Sequence, residues 1–230
     1  MNTETLNLTT SKGATTAVVA RPDGEAPAAV ILIHEWWGIN DHIRDLAGRY
    51  AKEGYVCVAP DLFRGKVTKD SEEAARLMHE LDTVDGLETI NEAIVKTRHD
   101  FGVQKIGITG YCMGGTYALR AACEISDLAA AAAFYGDIPE EKVLAKLKVP
   151  TLFFAGTRDN WINPEKVEVL KKAARDFSLQ IEAVSYDADH AFFNDTRPEV
   201  YDASAARDAW QRVLAHFRKY LVEAARPTGA

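Results

Sequence analysis

The chain is poor in cysteine, with three residues at Cys57, Cys112 and Cys123. An odd, small number excludes a disulfide scaffold and leads us to expect reduced thiols and a cytoplasmic protein. No apolar run approaches the about 20 residues that span a bilayer. The longest, Ala28–Ile33, is strand-sized, so no membrane partner is expected. Met1–Thr10 lacks the charged-then-apolar order of a signal peptide. Lys and Arg form no cluster, and net charge is -7, which argues against a nucleic-acid surface. Neither C-x-x-C nor H-x-x-x-H spacing occurs, so neither a metal nor another cofactor is expected. Repeats and low-complexity linkers are also missing, and one domain over 1–230 is expected.

What is present is an ordinary globular composition, 47% hydrophobic and 27% charged. Thr5–Thr9 and Ala14–Ala20 are predicted as strands around a turn at Lys12-Gly13. Ala28–His34 is continuously apolar, the pattern of a strand covered on both faces. A helix is expected over Asn40–Glu53, capped by Asn40 or Asp41 and stopped by Gly54. Further strands are expected at Tyr55–Ala59, Lys105–Thr109, Ala129–Phe134, Thr151–Ala155 and Gln180–Tyr186. Helices are expected at Ser71–Glu80, Val84–His99, Met113–Glu124, Glu140–Leu147, Pro164–Asp176 and Ala203–Glu223. This alternation predicts an α/β fold, a mostly parallel central sheet with helices on both faces. In such sheets function gathers beyond the carboxyl ends of the strands.

One strand end carries Gly110-Tyr111-Cys112-Met113-Gly114, a G-x-C-x-G pattern between strand and helix. The serine form of this pattern is the nucleophile elbow of α/β-hydrolases. A sharp turn needs small neighbours, and it aims its central side chain at a helix N-terminus. That position favours a thiolate, since a free thiol has a pKa of about 8.5. The alternative is a structural cysteine beside a glycine-rich turn. Cys57 and Cys123 lack this context and are expected in the core.

A nucleophile of this kind needs a base and a group to orient it, in the chain order nucleophile, acid, histidine. Asp159 follows the strand Thr151–Ala155, and His190 follows Gln180–Tyr186. His190 would take the thiol proton, or pair with the thiolate, while Asp159 fixes the ring tautomer. Asp187 and Asp189 are rival acids, with turn hydrogen bonds as their expected role. His42, His79, His99 and His216 fall on helices and are expected to face solvent. Backbone N–H groups of Trp36 and Met113 are the candidate oxyanion hole. Glu35, beside them, is flanked by apolar and aromatic residues and should have a raised pKa or a specific partner.

Together these segments resemble the dienelactone hydrolase (carboxymethylenebutenolidase) family. The resemblance is carried by HEWWGIN at 34–40, APDLF at 59–63, GYCMGG at 110–115, FYG at 134–136, GTRDNW at 156–161 and DADHAFFN at 187–194. It implies an α/β-hydrolase fold and a Cys112–Asp159–His190 triad. It also implies that Glu35 contacts the resting thiol and takes its proton when substrate binds. Members that cleave dienelactones hold a substrate carboxylate with arginines, one of them four residues after the catalytic histidine. That position is Asn194 here, with Arg197 three residues on and Arg76 a candidate for the other arginine. The expected substrate is therefore the broader class, a small-molecule ester or lactone. Trp36, Trp37, Tyr135, Trp161 and Phe192 are candidates to line its pocket. Two alternatives stand beside this reading: a cysteine-based redox or stress protein, and a non-catalytic hydrolase-like binding protein.

Overall fold

The computed structural model describes residues 2–225. Met1 and residues 226–230, which the single-domain expectation included, lie outside the described residues. The chain opens with an antiparallel hairpin, β1 (Asn2–Thr10) and β2 (Gly13–Arg21). Gly13 closes its turn at φ 111°, a conformation that favours glycine. Then come β3 (Ala28–Ile33), α1 (Asp41–Lys52), β4 (Val56–Pro60), α2 (Ser71–Glu80) and α3 (Thr83–Phe101). β5 (Lys105–Tyr111) leads into α4 (Met113–Glu124), followed by β6 (Ala130–Phe134) and α5 (Glu141–Leu144). β7 (Thr151–Gly156), α6 (Pro164–Asp176), β8 (Ile181–Tyr186) and α7 (Ala203–Phe217) complete the pattern.

The strands form one sheet in the order β1-β2-β4-β3-β5-β6-β7-β8. β2 pairs antiparallel with β4, and pairing is parallel from β4 through to β8. This is the mostly parallel α/β-hydrolase architecture expected. Alternate residues of β3 feed two cores. Ala29, Ile31 and Ile33 belong to one core, with Ile90 and Ile94 of α3 and Leu170 of α6. Ala28, Val30 and Leu32 belong to the other, with Leu46 and Tyr50 of α1 and Val213 of α7. All six β3 residues are buried, as a strand covered on both faces must be.

The caps explain several boundaries. Asn40, Asp70 and Asn163 each accept a backbone N–H from the first turn of α1, α2 and α6. Asp82 caps α3 one residue earlier than the apolar pattern suggests, and Gly102 ends it in the left-handed region. The helix expected over Glu140–Leu147 is only Glu141–Leu144; Lys146 and Leu147 N–H bond three residues back instead, tightening the end into a turn. The final helix becomes a π turn over Arg218–Val222, where Phe217 and Leu221 press on Gly107.

Two of the four helical histidines do not face solvent. His42 is on the buried face of α1, and His216 is partly buried with Nε2 at 3.1 Å from the Pro150 carbonyl. Both follow from helices whose apolar stripe is wider than Leu and Ile alone define. His79 and His99 are exposed. Cys57 and Cys123 are buried in the two cores.

Candidate active site

Cys112 sits between β5 and α4 with φ 54° and ψ -119°, outside the regions most side chains adopt. Glycines permit that turn. A Cβ on Gly110 would lie 2.0 Å from the Gly114 carbonyl oxygen, and one on Gly114 would lie 2.2 Å from that of Ile33. The backbone then holds Cys112 from both sides, its N–H donating to Phe134 and its carbonyl accepting from Thr116, each at 3.1 Å.

Its thiol is buried, and burial pushes its pKa up to about 12. The nearby Glu35 carboxylate adds to the rise, while the Met113 N–H at the mouth of α4 opposes it. The resting group is therefore a protonated thiol rather than the thiolate that a helix N-terminus alone would favour.

His190, in the loop after β8, places Nδ1 2.6 Å from Asp159 Oδ2. Asp159 Oδ1 accepts from the N–H groups of Trp161 and Ile162, at 2.7 and 2.9 Å. Burial works to raise the Asp159 pKa, but the His190 contact and these N–H groups outweigh it and hold the carboxyl below its ordinary value. The imidazole lies between Tyr135 and Trp161, with both ring centroids at 5.0 Å. Its buried Nε2 has no hydrogen-bond partner among the described residues. An Nδ1–H donated to an ionised Asp159 leaves Nε2 as a free acceptor.

Glu35 lies just past β3 and is only 2% exposed. Its Oε2 accepts from Asn194 Nδ2 at 2.8 Å, and the Asn194 carbonyl in turn accepts from the N–H and hydroxyl of Thr196. Burial raises the Glu35 pKa to about 7, against the opposing pull of Asn194, Arg197 and His190. The side chain is thus poised between acid and base at neutral pH. His34 supports the same turn: Nδ1 donates to the Glu35 carbonyl at 2.6 Å, and Nε2 accepts from Leu62 N–H at 3.1 Å. Burial lowers its pKa, in keeping with a neutral ring that both donates and accepts. Neither the Asn194 nor the His34 contact is visible in the sequence; the signal for Asn194 is its place four residues after His190.

Two cavities meet at Cys112 and His190. One, of about 660 Å³, includes Met113 and Tyr135; the other, of about 670 Å³, includes Glu35, Trp36 and Arg197; Trp161 borders both. Trp37 borders the second. The structure brings Cys112, Asp159, His190, Glu35, Trp36, Met113, Tyr135, Trp161 and Arg197 to one place.

Three expectations need correction. Phe192 lines neither cavity; it is buried in the core, edge-on to Tyr135 and Tyr186. Arg76 is on the exposed face of α2, tied to Glu73 and Glu80 at 2.7 and 2.6 Å, because acids three and four residues away on a helix are its nearest partners. Asp187 and Asp189 serve Arg158, at 2.5 and 3.3 Å, rather than turn hydrogen bonds. Among the described residues, no cluster of His, Cys, Asp or Glu could hold a metal ion, and no helix is long and apolar enough to cross a membrane.

Comparison with known proteins shows the family and the fold. The model of the dienelactone hydrolase family matches residues 15–221. Protein usf of Aquifex pyrophilus is 33% identical over 214 residues, covering 88% of this chain and 92% of that protein. A candidate carboxymethylenebutenolidase of Escherichia coli strain K12 is 35% identical over 221 residues, 87% of this chain and 81% of its own. The crystal structure of a candidate dienelactone hydrolase from Klebsiella pneumoniae superposes with a TM-score of 0.86 at 30% identity, covering 96% of this chain and 100% of that one.

Proposed function

We propose, from the premise that the chain belongs to the dienelactone hydrolase family, that it is a cysteine-dependent hydrolase of lactones or small carboxylic esters. The observation that carries the reading is the meeting of Cys112, the Asp159–His190 pair and Glu35 at the junction of two cavities. A redox role would have no use for an aspartate bound to a histidine beside the thiol.

In this mechanism the resting thiol is inert. Substrate binding brings the thiol proton to Glu35, whose pKa of about 7 lets it accept one at neutral pH. The thiolate attacks the carbonyl carbon, forming a C–S bond and moving the π pair onto oxygen. The Trp36 and Met113 N–H groups stabilise that oxyanion; one such donor contributes about 2.7–4 kcal/mol in comparable sites. Collapse re-forms the carbonyl and breaks the C–O bond. The departing enolate or alkoxide takes up the proton the thiol released, by way of Glu35 or His190. His190 Nε2 then removes a proton from water, hydroxide attacks the thioester, and the C–S bond breaks. The imidazolium proton returns to the sulfur. Asp159 holds the ring in the tautomer this requires.

The reading includes one domain over 1–230, a cytoplasmic location, no resident cofactor, and a free small molecule as the partner. A screen of short esters and small lactones tests it, comparing the wild type with Cys112→Ala and Cys112→Ser. Turnover confined to the wild type, with at most a residue in the serine variant, is expected. Equal rates in all three would remove Cys112 from the mechanism.

A further inference from the structure

The two cavities that meet at the nucleophile differ in chemistry. The one bordered by Glu35 also carries Arg158, Asp189, Arg197 and Glu199, so it is a charged chamber. The other runs away from Cys112 along one face of α4, from Met113 past Tyr117 to Arg120. These positions are four and three residues apart and share a face, and two turns of helix carry the floor about 10 Å from the nucleophile. Much of the wall is apolar, Met78 and Leu81 at the end of α2 and Trp161 and Ile162 after β7, with Thr83, Thr116, Asn160 and Asn163 between them. Charges also border it, Arg120 at the far end and the ion pair of Lys166 with Asp137 at 2.7 Å, where Asp137 N–H donates to Thr116 in the first turn of α4. Met78 and Trp161 are also 40% and 55% exposed, so their apolar surface is open to a ligand lying in this lobe.

We infer that this lobe receives a straight apolar substituent of the scissile ester, of about hexyl to octyl length, while the compact polar part of the substrate occupies the charged chamber. The inference rests on the proposed hydrolase reading and narrows its substrate class. It follows from the continuity of the apolar floor with Met113 and Cys112. A chain entering beside the reacting carbonyl runs along Met113, Tyr117, Leu81 and Met78, with polar groups of Thr116 and Asn163 also on the lining, until it reaches Arg120. It also covers Met78 and the apolar side of Trp161.

The test compares methyl acetate, methyl octanoate and octyl acetate, so that the chain extends from either side of the ester. The inference expects one of the two long esters to exceed methyl acetate in kcat/KM by about tenfold or more, given the area a chain would bury. It further expects Met78→Glu, at an exposed position that can tolerate charge, to cut that long-to-short ratio several-fold. Equal kcat/KM for all three esters, with Cys112-dependent turnover, would overturn the inference and leave the hydrolase reading intact. So would a ratio untouched by Met78→Glu. If none is hydrolysed, the hydrolase reading fails on these esters, and the lobe is judged by calorimetry on Cys112→Ala. Tighter binding of the long esters than of methyl acetate retains it; equal or absent binding overturns it.

Discussion

The amide of Asn194 donates to the carboxylate of Glu35 at 2.8 Å, joining residues 159 positions apart in the chain. This contact bonds the ionised form of a carboxyl group that burial otherwise drives toward neutrality. Replacing the amide with an isosteric hydrocarbon, Asn194→Leu, removes that support, so the Glu35 pKa rises further above about 7. If ionised Glu35 accepts the thiol proton, kcat/KM climbs with pH as Glu35 ionises. The variant's rising limb should lie roughly one pH unit higher, the equivalent of one hydrogen bond. A pH–rate profile of both proteins checks this; coincident limbs would sever Asn194 from the chemistry.

Glu35 also leaves a mark on stability. Its folded-state pKa, about 7, exceeds its ordinary 4.5, so the folded chain holds a proton that the unfolded chain releases. Between those values stability falls as pH rises, and above about 7 the full penalty is present. Glu35→Gln lacks the penalty. The variant should gain on the wild type from pH 4.5 upward, levelling near roughly 3 kcal/mol, while losing turnover. Denaturant unfolding at several pH values reads the difference. A constant gap would mean that Glu35 titrates normally.

Asp159→Asn separates orientation from packing. An asparagine oxygen can still accept from Trp161 and Ile162, so the loop should keep its shape. The amide, however, can present its NH₂ to His190 and favour the opposite tautomer, with Nε2 protonated. A loss of kcat of about 10³–10⁴-fold is expected, with little change in thermal midpoint. Loss of fold and activity together would instead make Asp159 a structural residue.

Much of this arrangement was legible because it is local. The alternation of apolar strands and capped helices announced the parallel sheet. The glycines around Cys112 announced the turn, and Asp159 and His190 each follow a strand in the order a hydrolase requires. What escaped was set by distance or by loop shape. Nothing near position 35 points to Asn194. Phe192 lies two residues from His190, yet the positive φ of Ala191, at 64°, lies between them, and Phe192 packs in the core instead of at the cavity. The elbow suggested a thiolate on the strength of a helix N-terminus; burial and Glu35 reverse that balance in the resting protein. Arg76 was the opposite case, since Glu73 and Glu80 stood at helical spacing in plain view.

The central claim is that Cys112 carries the acyl group. Rapidly quenched mixtures of the protein with an activated aryl ester, digested and weighed by mass spectrometry, test it most directly. His190→Ala should slow deacylation and let the adduct accumulate. The account predicts an acyl mass on the peptide containing Cys112 and on no other. Turnover that persists in Cys112→Ala, or an adduct placed elsewhere, would contradict it.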